Sequence, residues 1–129
     1  MATPAPNSTS LPQTQFAEVS ARKNAVILRF TFKSMFDPME VDQLQNDIER
    51  IVRASQVGCY VLDMGSVEFV SSGFLGLLIS VSQTLKQLGA SVRFCNLTAG
   101  IARVIKTTHL DQVLDIRTDV DAAVIDLKG

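Results

Sequence analysis

Residues that build metal and redox centres are scarce in this sequence: His109 is its one histidine, and Cys59 and Cys95 are its two cysteines, with no CxxC spacing. A metal centre assembled from nitrogen and sulfur ligands needs several such side chains at short spacings, so no metal site is expected. Each cysteine is flanked by strand-forming residues and reads as a buried thiol in a reducing compartment. An excess of one charge is also lacking. Lys and Arg number 12 against 13 Asp and Glu, for a formal net charge of -1, and the basic residues are scattered among acidic ones. Recognition of a nucleic-acid backbone rests on a clustered positive field, which excludes that class of partner. No apolar run is long enough to span a bilayer, and residues 1–15 have neither the basic start nor the apolar core of a secretory signal. A cytoplasmic location is therefore expected, where the Asn7-Ser8-Thr9 sequon has no consequence.

What the sequence does contain is enough apolar material for one core: 129 residues, 47% hydrophobic and 19% charged, fit a single domain. Residues 1–14 are rich in Pro, Ser and Thr with little to bury, and are expected to be a disordered tail ahead of a domain over 15–129. Phe16, Val19 and then residues 25–32 favour β structure and suggest two strands joined by a hairpin turn at 22–24. A helix is expected from Pro38, with Asp37 as its cap, Glu40 where a capping-box carboxylate would reach back, and Val41, Leu44, Ile48, Ile51 and Val52 on one face. Residues 59–64 form a continuous apolar run of buried-strand type. A second helix follows, with Phe74, Leu77, Leu78, Val81, Leu85 and Leu88 inward, and Gly89 stops it. Residues 91–97 predict a strand, 100–107 a short helix burying Ile101, Val104 and Ile105, 113–117 a strand, and 120–127 a last helix. The β-β-α-β-α-β-α-β-α order predicts an α/β fold with a mixed, mostly parallel central sheet of about five strands and about four helices.

Residues 69–78, FVSSGFLGLL, stand where chemistry collects in such folds, beyond the carboxyl end of a central strand and at a helix start. Ser71 or Ser72 caps that helix, which by itself needs no functional explanation. Gly73 and Gly76 each cost the helix about 1 kcal/mol relative to alanine, which suggests close approach by another backbone. Phe69, Val70, Phe74 and Leu75 surround the turn as an apolar excess that a partner could cover. Catalysis is not expected. No GxSxG elbow surrounds either serine, His109 has no evident orienting carboxylate, and Asp63, which could be imagined in an acid/base pair with Glu68, closes a strand where an aspartate often binds loop amides. A phosphate cradle on the SSG amides is not supported by any GxxxxGK[ST] or GxGxxG motif, so no cofactor is implied.

The run VLDMGSVEFVSSGFLGLL resembles the signature of STAS domains, found in bacterial anti-anti-sigma factors and in the cytoplasmic tails of sulfate transporters. The likeness extends over residues 16–126 through LKQLGASVRFCNL and IARVIKTTHLDQVLDI. It implies an anti-sigma factor antagonist whose first motif serine, Ser71 here with Ser72 as second choice, is phosphorylated by an anti-sigma factor that is also a serine kinase; ATP would belong to that kinase. Only the unphosphorylated form would bind, through a surface shaped by Phe69, Val70, Ser71, Ser72, Gly73, Phe74 and Gly76. The chain departs from the family pattern at Val70, where an aspartate usually precedes the serine, and at His109, commonly glycine. Val70 favours the alternative, a constitutive subunit of a signalling scaffold or transporter-associated complex.

Overall fold

Apolar and polar residues alternate over 17–22, and an apolar run follows over 25–30; these become β1 (Ala17–Arg22) and β2 (Ala25–Phe30), an antiparallel hairpin whose turn passes through Lys23 at a positive φ of 55°. The computed structural model describes residues 11–127. Helix α1 (Pro38–Ser55) starts where expected, the Met39 N–H donating to Asp37 Oδ1 at 2.9 Å, and buries the five expected apolar residues. Among the described residues no return bond from Glu40 completes a capping box, so the cap is one-sided. Strand β4 (Cys59–Asp63) is buried at every residue. Helix α2 (Ser72–Gln87) ends ahead of Gly89, which takes a φ of +80° that suits glycine. Then come β6 (Ser91–Cys95), α3 (Ala99–Thr107), β7 (Asp115–Arg117) and α4 (Val120–Val124).

Five strands form the central sheet in the order β1-β2-β4-β6-β7, parallel except for the hairpin, with four helices around it. This is the expected fold class. Two dipeptides that the sequence pattern does not reveal, β3 (Ser34–Met35) and β5 (Phe69–Val70), pair in parallel as a separate two-stranded sheet. The main core lies on one face, where Val26, Leu28, Tyr60, Leu62 and Phe94 meet α1 and α2. On the other face Ala25, Ile27, Cys59, Val61 and Cys95 pack under Ala123 and Val124 of α4.

The structure corrects several boundaries. The strand expected over 113–117 begins at Asp115, because a 3-10 helix over Leu110–Gln112 intervenes and leaves Val113 exposed. The last helix stops at Val124 and β6 stops at Cys95, where Asn96 turns into the left-handed region. Val104 is exposed, since α3 buries only Ile101 and Ile105. The tail expected over 1–14 lies outside the described residues up to residue 10. Beyond it, Thr14 bridges Ala17 and donates from Oγ1 to Asp47 Oδ2 at 2.7 Å, Arg50 donates to the Gln13 carbonyl at 2.7 Å, and Leu11 packs against the core. Helix α1 thus supplies partners that the composition of this segment does not advertise.

Both cysteines are buried free thiols. Burial, helped by the nearby Asp63 charge, pushes the Cys95 thiol up to about 12, so it carries no thiolate at neutral pH. Native protein at pH 8 is expected to react with a disulfide reagent such as Ellman's far more slowly than the unfolded chain. A full, fast reaction in native buffer would contradict this packing.

Candidate functional site

The site is built from where β4 stops. Asp63 is buried at the strand end, and its Oδ1 accepts from the Gly65 N–H and from Asn96 Nδ2, each at 3.0 Å. It therefore binds a loop amide, as its position suggests. The chain then dips so that Val67 enters the core, where its carbonyl accepts from Thr98 Oγ1 at 2.7 Å. Next, the Glu68 and Phe69 N–H groups donate to the Lys33 carbonyl at 2.8 and 3.2 Å, and the Ser71 N–H donates to the Met35 carbonyl at 3.1 Å. Pairing of Ser34 with Phe69 and of Met35 with Val70 places the start of α2 beside the start of α1.

Ser71 is the N-cap of α2: its backbone is extended, and its Oγ accepts from the Phe74 N–H at 3.2 Å. Ser72, the first helical residue, is exposed. Gly73 and Gly76 are exposed too, and a Cβ at Gly76 would meet nothing within 4 Å, while one at Gly73 would make ordinary contact with Ser71 Oγ at 3.5 Å. The close approach that these glycines suggest is thus not to a described part of this chain.

The apolar residues divide differently from expectation. Phe74, expected both on the inward face of α2 and among the apolar residues about the turn, is fully buried, its ring 6.1 Å from that of Phe30 and 5.8 Å from that of Phe32. Its position on the inward face of α2 overrides its nearness to the serines. Val70 and Leu75 are half-buried against the main core. Phe69 is 55% exposed, and it is joined by two residues that sequence reasoning missed, Phe36 at 56% and Met39 at 78%. The signal for them was an apolar pair flanking the Asp37 cap, which reads equally well as a hydrophobic staple onto Val41. A groove of about 390 Å³ runs between the two helix starts, lined on the α1 side by Phe36, Val41 and Asp42 and on the α2 side by Ser71, Gly73 and Gly76.

The polar residues considered for catalysis do not converge. Glu68 is exposed with its carboxylate 3.9 Å from Lys33 Nζ, whereas Asp63 is bonded to Gly65 and Asn96. His109 is exposed beyond the far end of α3, in the left-handed region at φ 62°. That conformation suits glycine, which explains the family preference without a role for the imidazole.

Helices on both faces of a mixed, mostly parallel sheet, with a serine capping the helix after the central strand, define an α/β domain of STAS-like architecture. The STAS domain model matches residues 18–123, and the chain belongs to that family. Solved structures agree in fold. An anti-sigma factor antagonist from Mycobacterium paratuberculosis superposes with a TM-score of 0.74 at 20% identity, covering 86% of this chain and 92% of that one. The phosphorylated form of the Bacillus cell fate determinant SpoIIAA gives a TM-score of 0.60 at 18% identity, over 82% and 95% of the two chains. SLC26A9 gives 0.57 at 18% identity, over 81% of this chain and 20% of that one. At these identities the likeness establishes the fold. Among the described residues, no helix is long and apolar enough to cross a membrane.

Two substitutions separate capping from the glycine effect. Ser71→Ala removes the cap and should cost about 1 kcal/mol in urea unfolding. Gly76→Ala, entering open space in a helix interior, should add about 0.5–1 kcal/mol. A destabilising Gly76→Ala would mean that the space is not open.

Proposed function

We propose that this chain is an anti-sigma factor antagonist that binds an anti-sigma factor with serine kinase activity and is switched off by phosphorylation of Ser71. The observation that carries the reading is the half-buried Ser71 hydroxyl standing at the rim of a groove bordered by exposed Phe36 and close in the chain to exposed Phe69. Large apolar side chains left exposed at a groove are what an interaction site presents. Phosphate at Ser71 would bring nearly two negative charges to the first turn of α2, where the free amides and the helix dipole tolerate them, so the domain stays folded. The groove itself offers Asp42 and, among the described lining residues, no Lys or Arg. An apolar partner closing over a phosphate there would have to desolvate it unpaired, and binding is lost. Phe69, Ser72, Gly73 and Gly76 shape the docking surface together with Phe36 and Met39; Val70 and Phe74 support it from beneath.

One observation favours a second reading. Val70 is seated against the core and pairs with Met35, so the position next to Ser71 carries no carboxylate. A constitutive STAS subunit of a signalling scaffold or transporter-associated complex, never phosphorylated, fits that feature.

Ser71→Asp decides between them. Its thermal melt should stay close to wild type while capture of the kinase partner is lost, and phosphosite mapping of protein from its own cells should find phosphate on Ser71 that varies with growth conditions. Undiminished capture by Ser71→Asp, with no phosphate under any condition, would establish the constitutive reading. Gly76→Ala and Phe69→Ser should weaken capture about tenfold or more without loss of fold, because Gly76 lines the groove and Phe69 is a large exposed apolar side chain two residues from Ser71.

A further inference from the structure

On the α4 face of the sheet, where the parallel strands end, Glu18, Arg29, Asp63, Cys95 and Arg117 are successive register partners from β1 to β7. Both arginines in this row are committed to other carboxylates. Arg29 Nε donates to Glu18 at 2.9 Å, and Arg117 Nε donates to Asp115 at 2.6 Å. Asp63, between them, is only 7% exposed and makes no ion pair among the described residues. Its Oδ1 holds the Gly65 N–H and Asn96 Nδ2, while Oδ2 has no hydrogen-bond partner among the described residues and is not sealed from solvent.

Buried carboxylates are ordinarily paired, because an unpartnered charge removed from water is costly. The surroundings keep this one available. Asp63 borders a cleft of about 500 Å³ lined also by Glu18, Arg29, Thr31, Ser66 and Asn96. A side chain at position 65 would place its Cβ 3.2 Å from Asp63 Oδ1, so glycine leaves the carboxylate room. Asn96 adopts a left-handed φ of 57°, a region that asparagine tolerates better than most non-glycine residues, and from it turns its amide NH2 onto Asp63. That bond leaves the Asn96 side-chain carbonyl as a further acceptor.

The charge on the lining is two carboxylates against one guanidinium, and the ends of parallel strands are where such sheets bind small molecules. A compact cation with N–H donors fits an open carboxylate oxygen beside an amide carbonyl and two hydroxyls. A metal ion fits less well, since the described residues contain no group of three ligating His, Cys, Asp or Glu side chains. We propose that this cleft binds a small primary amine, its ammonium group donating to Asp63 Oδ2 and its polar tail meeting Ser66 and Thr31. The site does not depend on the role of Ser71.

The test is an NMR titration of the full chain with ethanolamine at constant ionic strength. Potassium and tetramethylammonium chlorides serve as cations without N–H donors. Saturable shifts at Gly65, Ser66 and Asn96 are expected with ethanolamine alone. Asp63→Asn, which keeps an oxygen for Gly65, should weaken binding about tenfold or more, the worth of one charge-assisted bond. Shifts that never saturate, an equal response to tetramethylammonium or potassium, or an unchanged affinity in folded Asp63→Asn would overturn the proposal. Should Asp63→Asn fail to fold, Arg29→Gln decides: removal of the neighbouring cation should tighten ethanolamine binding, and an unchanged or weaker affinity would sink the idea.

Discussion

Three backbone carbonyl-to-amide contacts between residues 33–35 and 68–71 carry the rest of this structure. A strand that ends in a buried carboxylate must pass through a loop to reach α2, and a loop at the top of a sheet has no ladder to satisfy its amides. Here the Lys33 carbonyl accepts from both Glu68 and Phe69, the Met35 carbonyl accepts from Ser71, and Ser34–Met35 lies parallel to Phe69–Val70. This pairing does more than satisfy the backbone. It joins the connection before α1 to the connection before α2, so that two helix starts face one groove. Without it, Phe36 and Phe69 would ride on independent loops and no shared apolar surface would exist. Beneath it the Phe30, Phe32 and Phe74 rings pack at centroid distances of 5.2 to 6.1 Å, fixing the first turn of α2 against β2.

The second face of the sheet is held differently. A helix of five residues such as α4 has no independent stability, so its place must come from tertiary contacts. Arg93, buried on β6, supplies them: Nη1 donates to the Ala123 carbonyl and to Asp126 Oδ1, each at 2.6 Å, and Nη2 donates to Asp126 Oδ2 at 3.1 Å. The hydrogen bond from Arg93 holds the Asp126 carboxyl below the usual range. At the other end Lys23 donates to the Val124 carbonyl at 3.2 Å, and Arg22 pairs with Asp121. These bonds close α4 over Cys59 and Cys95, and they use up the cations that would otherwise be free on this face. The distribution of charge across the register, with each arginine assigned to a carboxylate other than Asp63, follows from the need to pin so short a helix and the β1 edge.

How much of this is legible in the sequence depends on length. Helix α1 spans five turns, long enough for its apolar spacing and its Asp-Pro start to be unambiguous, and it begins at the expected Pro38. Strands β2 and β4 announce themselves as apolar runs. Strands β3 and β5, at two residues each, contain no period at all, and the dip of Val67 into the core between them cannot be seen without the fold. The same limit applies to the site. Ser71 as a cap, Gly73 and Gly76 on an open face, and Asp63 on a loop amide all follow from local chemistry. Phe36 does not, and Phe74 is readable both as core from its helical spacing and as surface from its nearness to the serines: whether an aromatic next to a helix start turns inward or outward depends on which wall stands opposite. Phe30 and Phe32 provide one for Phe74, and Phe36 remains 56% exposed.

The division between what folds the domain and what is left over bears on Val70. In a chain where the residue before the cap carries a carboxylate, that charge adds to any phosphate at the serine. Here the position is apolar, half-buried and part of the β3–β5 pairing, so it serves the scaffold. The electrostatic side of a switch then rests on Ser71 itself and on Asp42 across the groove, which lies on α1 and would face a new charge from the opposite wall. Two like charges on opposite walls of one groove repel each other and oppose desolvation at once, and neither effect requires the domain to unfold. Terminal oxygens of a phosphate on Ser71 would find the free amides of the first turn of α2, while under the proposed switch the surface above them is spoiled. Stability and binding can therefore move in opposite directions at one residue, which is the physical condition for a covalent switch that leaves the fold intact.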